Sequence, residues 1–177
     1  MANFDYESLI VDIPDYPEPG VIFKDVTPLF ADPQGFTALV DDIANHFIGK
    51  GITKVVGAEA RGFLVGAPVA YRLNAGFVPA RKPGKLPRET YSQEYALEYG
   101  TDRLEMHKDA LEPGDRVLIA DDLIATGGTA IATARMIEQA GAELYAFAFL
   151  MELAFLNPRE ALGKEFDQEI YTLVKVQ

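Results

Sequence analysis

The chain has 177 residues, 49% of them hydrophobic and 24% charged, which suits one globular domain with a sizeable core. It has no cysteine and only two histidines, His46 and His107, so a disulfide framework, a thiolate metal site and a histidine-rich metal site are all excluded. The formal net charge of −11 disfavours a nucleic-acid binder, whose affinity comes from Lys and Arg on phosphates, but leaves room for a small anionic ligand in a locally basic site.

The N-terminal stretch MANFDYESLI carries acid rather than base and lacks an apolar centre, unlike a signal peptide. No apolar run approaches the ~20 residues of a membrane-spanning helix. The expectation is a soluble, cytoplasmic protein with no membrane partner. Asp32-Pro33 reads as a helix N-cap followed by proline at the first helical position. Phe36, Leu39, Val40, Ile43, Phe47 and Ile48 then recur at helical spacing until Gly49 and Gly51 end the pattern. His46 falls on this helix, exposed or packed at its end.

TKVVGAEA (53–60) reads as a short strand and FLVGAPVAYRLN (63–74) as a helix, although Gly66 and Pro68 blur its start. GFVPAR (76–81) is the next strand. A basic stretch containing Pro and Gly follows, expected to be a mobile loop reaching to about Glu94. YALEYG (95–100) alternates as a half-buried strand does. EPGDR (112–116) is a turn, VLIA (117–120) a fully buried strand, and Ile131, Ala134 and Ile137 mark one face of a helix over about 128–140. LYAFAFLMEL (144–153) is another buried strand. Strands alternating with helices predict an α/β fold with a mainly parallel twisted sheet, whose ligands sit beyond the carboxyl ends of the strands.

VLIADDLIATGGTA (117–130) lies at such an end. Its Gly127 and Gly128 let a ligand approach the main chain closely, and successive N–H groups can converge on one anion. The helix that follows adds free donors and partial positive charge, and Thr126 and Thr129 add hydroxyls. The pattern is neither the longer Gly-x4-Gly-Lys loop of nucleoside triphosphate sites nor a dinucleotide fingerprint. It describes a monophosphate cradle. Asp121 and Asp122 would then meet the 2′- and 3′-hydroxyls of a ribose 5-phosphate and stabilise positive charge at its anomeric carbon. The pair could alternatively hold a magnesium ion.

This block resembles the phosphoribosyl-diphosphate signature of the type I phosphoribosyltransferases. DYPEPGVIFKDVTPLF (15–30), GAEARGFLVGAPVA (57–70), RKPGKLPRET (81–90), YALEYG (95–100) and HKDALEPGDRVLIADDLIATGGT (107–129) extend the likeness, and PGVIFKD and LEYG point to the adenine-using branch. The resemblance implies a single domain over 1–177: a small N-terminal hood for base recognition over about 1–30, a core over about 31–153 and a C-terminal segment over 154–177. It implies purine salvage, in which adenine and 5-phosphoribosyl 1-diphosphate give AMP and diphosphate with Mg2+, the metal being carried mainly by the substrate, and it implies a homodimer.

Carried over residue by residue, Ala125, Thr126, Gly127, Gly128 and Thr129 hold the 5-phosphate, and Asp121 and Asp122 the ribose. Arg61 lines the site near diphosphate and base, and Ile22, Phe23 and Lys24 contact adenine. Arg81, Lys82 and Lys85 neutralise the leaving diphosphate as Pro83 and Gly84 let their loop close and exclude water. Glu98 is the candidate proton-transfer group on the purine, and Tyr99 closes over the ribose or diphosphate region. His107 is read as structural, and Arg88, further along the loop, is given no role in the site. Two other readings remain at this point: a base other than adenine (hypoxanthine, guanine or xanthine), or a regulator of this fold that senses phosphoribosyl ligands.

Overall fold

The computed structural model describes residues 4–96 and 101–177. Its first elements are an antiparallel hairpin of β1 (Val11–Pro14) and β2 (Ile22–Asp25), a short helix α1 (Thr27–Ala31) and the longer α2 (Pro33–Phe47). The Asp32 carboxylate caps α2 by accepting the Gly35 N–H at 2.7 Å, and Pro33 occupies the first turn as expected. Leu39, Val40, Ile43 and Phe47 are the buried stripe of α2.

The rest alternates: β3 (Lys54–Ala58), α3 (Arg61–Arg72), β4 (Gly76–Ala80), the hairpin of β5 (Thr90–Ala96) and β6 (Thr101–His107), then β7 (Arg116–Ile124), α4 (Gly128–Gln139), β8 (Glu143–Leu153), α5 (Pro158–Gly163) and β9 (Glu169–Val176). Five strands form one sheet in the order β4-β3-β7-β8-β9, parallel throughout. The chain winds from β3 outward to β4, then returns to place β7 on the other side of β3. The winding direction therefore reverses between β3 and β7, and a crevice opens there beyond the carboxyl ends of the strands.

Both sheet faces are covered, which explains the unbroken apolar runs. Ala146, Ala148 and Leu150 of β8 join Leu39, Ile43, Val65 and Val69 in one core layer, under α2 and α3. Phe147 and Phe149 of the same strand join Ala134, Met136, Ile137, Leu104 and Met106 in the other, under α4 and the β5–β6 hairpin. No helix among the described residues is long and apolar enough to cross a membrane.

Several expectations shift. The helix predicted for 63–74 starts at Arg61 and ends at Arg72, with Pro68 inside it. Gly66, which blurred its start, joins Gly62 and the β3 residue Gly57 in letting it lie close on the sheet. A Cβ on Gly57 would come within 2.7 Å of the Gly62 carbonyl oxygen, and one on Gly66 within 2.9 Å of the Phe77 ring. The basic loop ends at Glu89 rather than near Glu94, because β5 begins at Thr90 and pairs along its length with β6. Tyr91 and Tyr95, half-buried against the second core layer, hold that hairpin down. Of the strand predicted at 95–100, Tyr95 and Ala96 belong to β5, and residues 97–100 lie outside the described part. The VLIA strand runs four residues further, so both aspartates lie within β7.

Gly57 faces backbone rather than a flexible side-chain tip, so the contact has little freedom to relax. Gly57→Ala is expected to push the start of α3 off the sheet and cost about 1–3 kcal/mol, the usual range for overpacking. A urea unfolding curve checks this; a midpoint equal to wild type would mean that α3 is free to move.

Candidate active site

The crevice at the switch point holds a cavity of about 240 Å3. Its wall is built from the ends of β3 (Ala58, Glu59), the start of α3 (Arg61), the end of β7 (Asp121, Leu123, Ile124), the turn 125–130, Phe149 of β8, and Tyr95 and Leu104 of the β5–β6 hairpin. All five residues assigned to phosphate, Ala125 to Thr129, line it.

The turn has the shape the sequence required. Gly127 takes a φ of +91° and stands at the N-cap of α4, with no side-chain cap on the helix. The first-turn N–H groups have no intrahelical acceptor, and they meet the partial positive end of the helix dipole at the cavity wall. Helix α5 supports the turn from behind: the Pro158 carbonyl, Ala161 and Leu162 stand within 3.6–3.8 Å of where a Gly127 Cβ would lie. The buried Glu152 carboxylate at the end of β8 anchors α5 in turn. It takes Arg159 Nε at 2.9 Å on both oxygens, while Arg159 also reaches the Ile170 carbonyl and Thr172 on β9.

The two aspartates occupy different environments, because adjacent side chains of an extended segment diverge. Asp121 lines the cavity. Gly62 packs against it so tightly that a Cβ there would sit 2.8 Å from Oδ1. Burial first, then the neighbouring Asp122 charge, push the Asp121 carboxyl well above the ordinary carboxylate range. Asp122 is 3% exposed and does not line the cavity. Its Oδ2 lies 2.9 Å from Arg61 Nε as an ion pair, without the alignment of a hydrogen bond. Arg61 also stands over the Phe23 ring, its guanidinium carbon 5.7 Å from the ring centre. One cation thus links the β1–β2 hairpin to the end of β7.

Of the adenine-contact trio, Phe23 meets the site only through Arg61 and does not itself line the cavity; Tyr16 stands edge-on against it at 5.2 Å. Lys24 turns to the other side of the hairpin, where its ammonium pairs with Asp12 at 2.6 and 2.7 Å, and Ile22 is 58% exposed. Neither Ile22 nor Lys24 lines the cavity.

The basic loop is tied down. Arg81 Nε donates to Glu59 at 2.8 Å, the Lys82 N–H donates to the same carboxylate at 2.9 Å, and Lys85 Nζ lies 3.0 Å from it. Lys82 Nζ goes instead to Asp102 and to the Tyr95 hydroxyl on the hairpin. Arg88 pairs with Asp109 and contacts His107. Burial would raise the Glu59 carboxyl, but the Lys82 N–H, Arg81 and Lys85 outweigh it and hold the group below its usual range. Glu59 was missed in the sequence, although its signal was available: a carboxylate directly after a buried strand, two residues before Arg61. Glu98 and Tyr99 lie outside the described residues.

The family described as the phosphoribosyl transferase domain matches residues 30–174. The chain belongs to the phosphoribosyltransferase family, and the five-stranded parallel sheet flanked by helices is its type I fold. Its near relatives are adenine phosphoribosyltransferases. The one from Myxococcus xanthus is 55% identical over 161 residues, covering 91% of this chain and 88% of its own. Among solved structures, that from Thermoanaerobacter pseudethanolicus superposes with a TM-score of 0.91 at 48% identity, covering 97% and 98% of the two chains. That from Saccharomyces cerevisiae, complexed with adenine and an imino-altritol bisphosphate, has a TM-score of 0.88 at 39% identity and covers 96% of each chain.

A carboxyl whose pKa is raised in the folded state gives its full stability below the unfolded pKa, about 3.9 for aspartate, and loses it as pH rises through the folded one. Asp121→Asn cannot ionise and escapes that loss. The variant is expected to unfold at higher urea than wild type at neutral pH, with the gap closing below about pH 4. Its turnover should fall about ten- to a hundredfold for the lost charged hydrogen bonds. A midpoint at or below wild type at neutral pH would remove the electrostatic account of this residue.

Proposed function

We propose that this protein is a purine-salvage pentosyltransferase that moves the 5-phosphoribosyl group from 5-phosphoribosyl 1-diphosphate to adenine, releasing AMP and diphosphate. The observation that carries the reading is the shared cavity wall, in which a recessed aspartate and an amide-lined turn at a helix N-terminus stand side by side at the switch point. The near-full-length relatives that act on adenine support the choice of base.

In this reading the main chain of 125–129, with the Thr126 and Thr129 hydroxyls, seats the 5-phosphate. Asp121 accepts from the ribose hydroxyls, and Asp122 joins it once an incoming anion draws Arg61 away. Positive charge growing at the anomeric carbon favours the Asp121 anion, whose recessed position makes that interaction strong where water would weaken it. Arg61, Arg81, Lys82 and Lys85 meet the departing diphosphate, and closing their loop shields the ribosyl centre from hydrolysis. Phe23 supplies the apolar face for adenine, with Ile22 and the main chain at Lys24 completing the base site. Glu98 handles the purine proton, and Tyr99 covers the sugar.

Magnesium fits as an ion carried by the substrate. No cluster of three acidic or histidine side chains that could cage a metal occurs among the described residues. Glu59 and Asp122 are both occupied by cations, so Asp121 is the cavity-lining carboxylate left without an ion-pair partner among the described residues. When bound, the metal would neutralise diphosphate charge and ease its departure.

A regulator that only senses the ligand fits less well, since a net charge of −11 disfavours a nucleic-acid partner. The direct test supplies adenine, hypoxanthine, guanine and xanthine separately with phosphoribosyl diphosphate and Mg2+ and follows nucleotide formation. Adenine should lead by about a hundredfold or more in kcat/KM, because a site matched to an amino edge leaves polar groups unpaired against an oxo edge. Preference for an oxopurine overturns the base assignment, and no nucleotide from any base overturns the activity.

The reading includes a homodimer. It is supported by an apolar stripe on α3, where Leu64 is 48% and Tyr71 85% exposed on one helical face. Tyr71→Glu is expected to shift the sedimentation coefficient from dimer to monomer; an unaltered dimer would exclude this face.

A further inference from the structure

Each cation assigned to the diphosphate is already neutralised by a carboxylate of the protein. Arg61 is on Asp122, Lys82 on Asp102, and Arg81 and Lys85 share Glu59. Glu59 stands apart from the other two partners. It follows directly on β3, whose pairing continues as the Glu59 N–H donates to the Ala80 carbonyl at 2.9 Å, so its backbone is fixed by the sheet. Its side chain is 7% exposed, yet it lines the cavity together with Asp121 and the phosphate turn.

The three groups it holds differ in how firmly the fold fixes them. The Lys82 N–H is main chain. Arg81 is pinned by a backbone bridge to Glu105, its N–H donating at 2.8 Å and its carbonyl accepting at 2.7 Å. Lys85 lies beyond the Pro83-Gly84 turn, is 51% exposed, and touches Glu59 only through the tip of its side chain at 3.0 Å. Glu59 can therefore release Lys85 while keeping its other two donors.

We propose that Glu59 is a positioning residue that sets diphosphate affinity by exchanging Lys85 with the ligand: it holds the ammonium at the cavity mouth in the free enzyme, yields it to the diphosphate, and recaptures it as the product leaves. The assignment rests on the phosphoribosyl-transfer reading of the site. Its physical basis is competition between two anions for one cation. An ammonium with no internal counter-ion would hold a multiply charged product strongly and slow its escape, whereas a carboxylate in reach offers an alternative partner at every stage. Because Lys85 is half-exposed, water weakens the pair, and the exchange is correspondingly mild.

The test measures diphosphate affinity in the presence of Mg2+ by titration calorimetry, for wild type, Glu59→Gln, Lys85→Ala and the double variant. Glu59→Gln keeps an oxygen for the Lys82 N–H and removes the charge. It should bind diphosphate about two- to fivefold more tightly, the upper range of a partly exposed ion pair, and show stronger product inhibition with a lower KM for phosphoribosyl diphosphate. In the Lys85→Ala background the same substitution should change affinity by less than about twofold, as expected when the coupling runs through one partner.

Unchanged or weaker binding by Glu59→Gln overturns the proposal. An equal gain in both backgrounds also overturns it, because the effect would then be plain repulsion of the ligand by Glu59. Should Glu59→Gln melt well below wild type, Glu59→Asp takes its place. Its carboxylate falls short of Lys85, so the same direction with a smaller gain is expected, and no gain counts against the exchange. Wild type that binds no diphosphate would instead sink the phosphoribosyl-transfer reading itself, and the exchange with it.

Discussion

The site depends on how closely α3 lies on the sheet. With Gly57, Gly62 and Gly66 at the contact, helix backbone and strand backbone approach to a distance that any side chain would prevent. That approach seats Gly62 against the Asp121 carboxylate and sets Arg61 beside Asp122. It also leaves the crevice between β3 and β7 narrow enough for side chains from both strands to face one ligand. A wider gap would turn the cavity into an open groove, with each carboxylate solvated and its charge screened. Packing and electrostatics are one constraint here, because the same contact that excludes bulk from the helix face keeps water from the acid.

Around this contact the protein solves a charge problem. The chain is strongly acidic, yet its ligand-facing loop is basic, and free cations beside so many carboxylates do not stay unpaired. Glu59, Asp102 and Asp122 each pair with a cation proposed to meet the diphosphate. The loop is consequently ordered, without a ligand, by bonds of the kind a ligand would form. Asp121, by contrast, receives no such partner and is left in a setting that resists its ionisation. The site thus presents paired cations and one acid with no ion-pair partner among the described residues, an arrangement that suits the proposed ligand, anionic at both ends and cationic in the middle as it reacts.

Much of this was legible in the residues. The Asp32-Pro33 start of α2, the buried runs of β7 and β8, and the Thr-Gly-Gly-Thr turn each carry a local physical signal, and each falls where that signal placed it. What could not be read was non-local. The return of the chain to set β7 beside β3 is a property of the whole sheet. Nothing in Gly66 or Pro68 announces a helix that needs close approach, and local propensity argued against its early start. The charges of Lys24 and Lys82 were visible in the sequence, whereas Asp12 and Asp102, which pair with them, are distant in the chain and could not be matched to them. Glu59 was overlooked for the converse reason: between a strand and an arginine it reads as an ordinary polar end. The hairpin of β5 with β6 was obscured by the basic tract before it, although Tyr91 and Tyr95 already carried its alternation.

The ion pair of Arg159 with Glu152 has a consequence for biosynthesis. The turn proposed to seat the 5-phosphate is encoded midway through the second half of the chain, but the helix behind Gly127 and the strand that completes the Arg159 cluster are made later. A nascent polypeptide emerging as far as β8 would carry every ligand-facing group among the described residues and still lack the buttress that holds the turn in shape. A fully supported turn is thereby deferred until α5 and β9 have followed and docked.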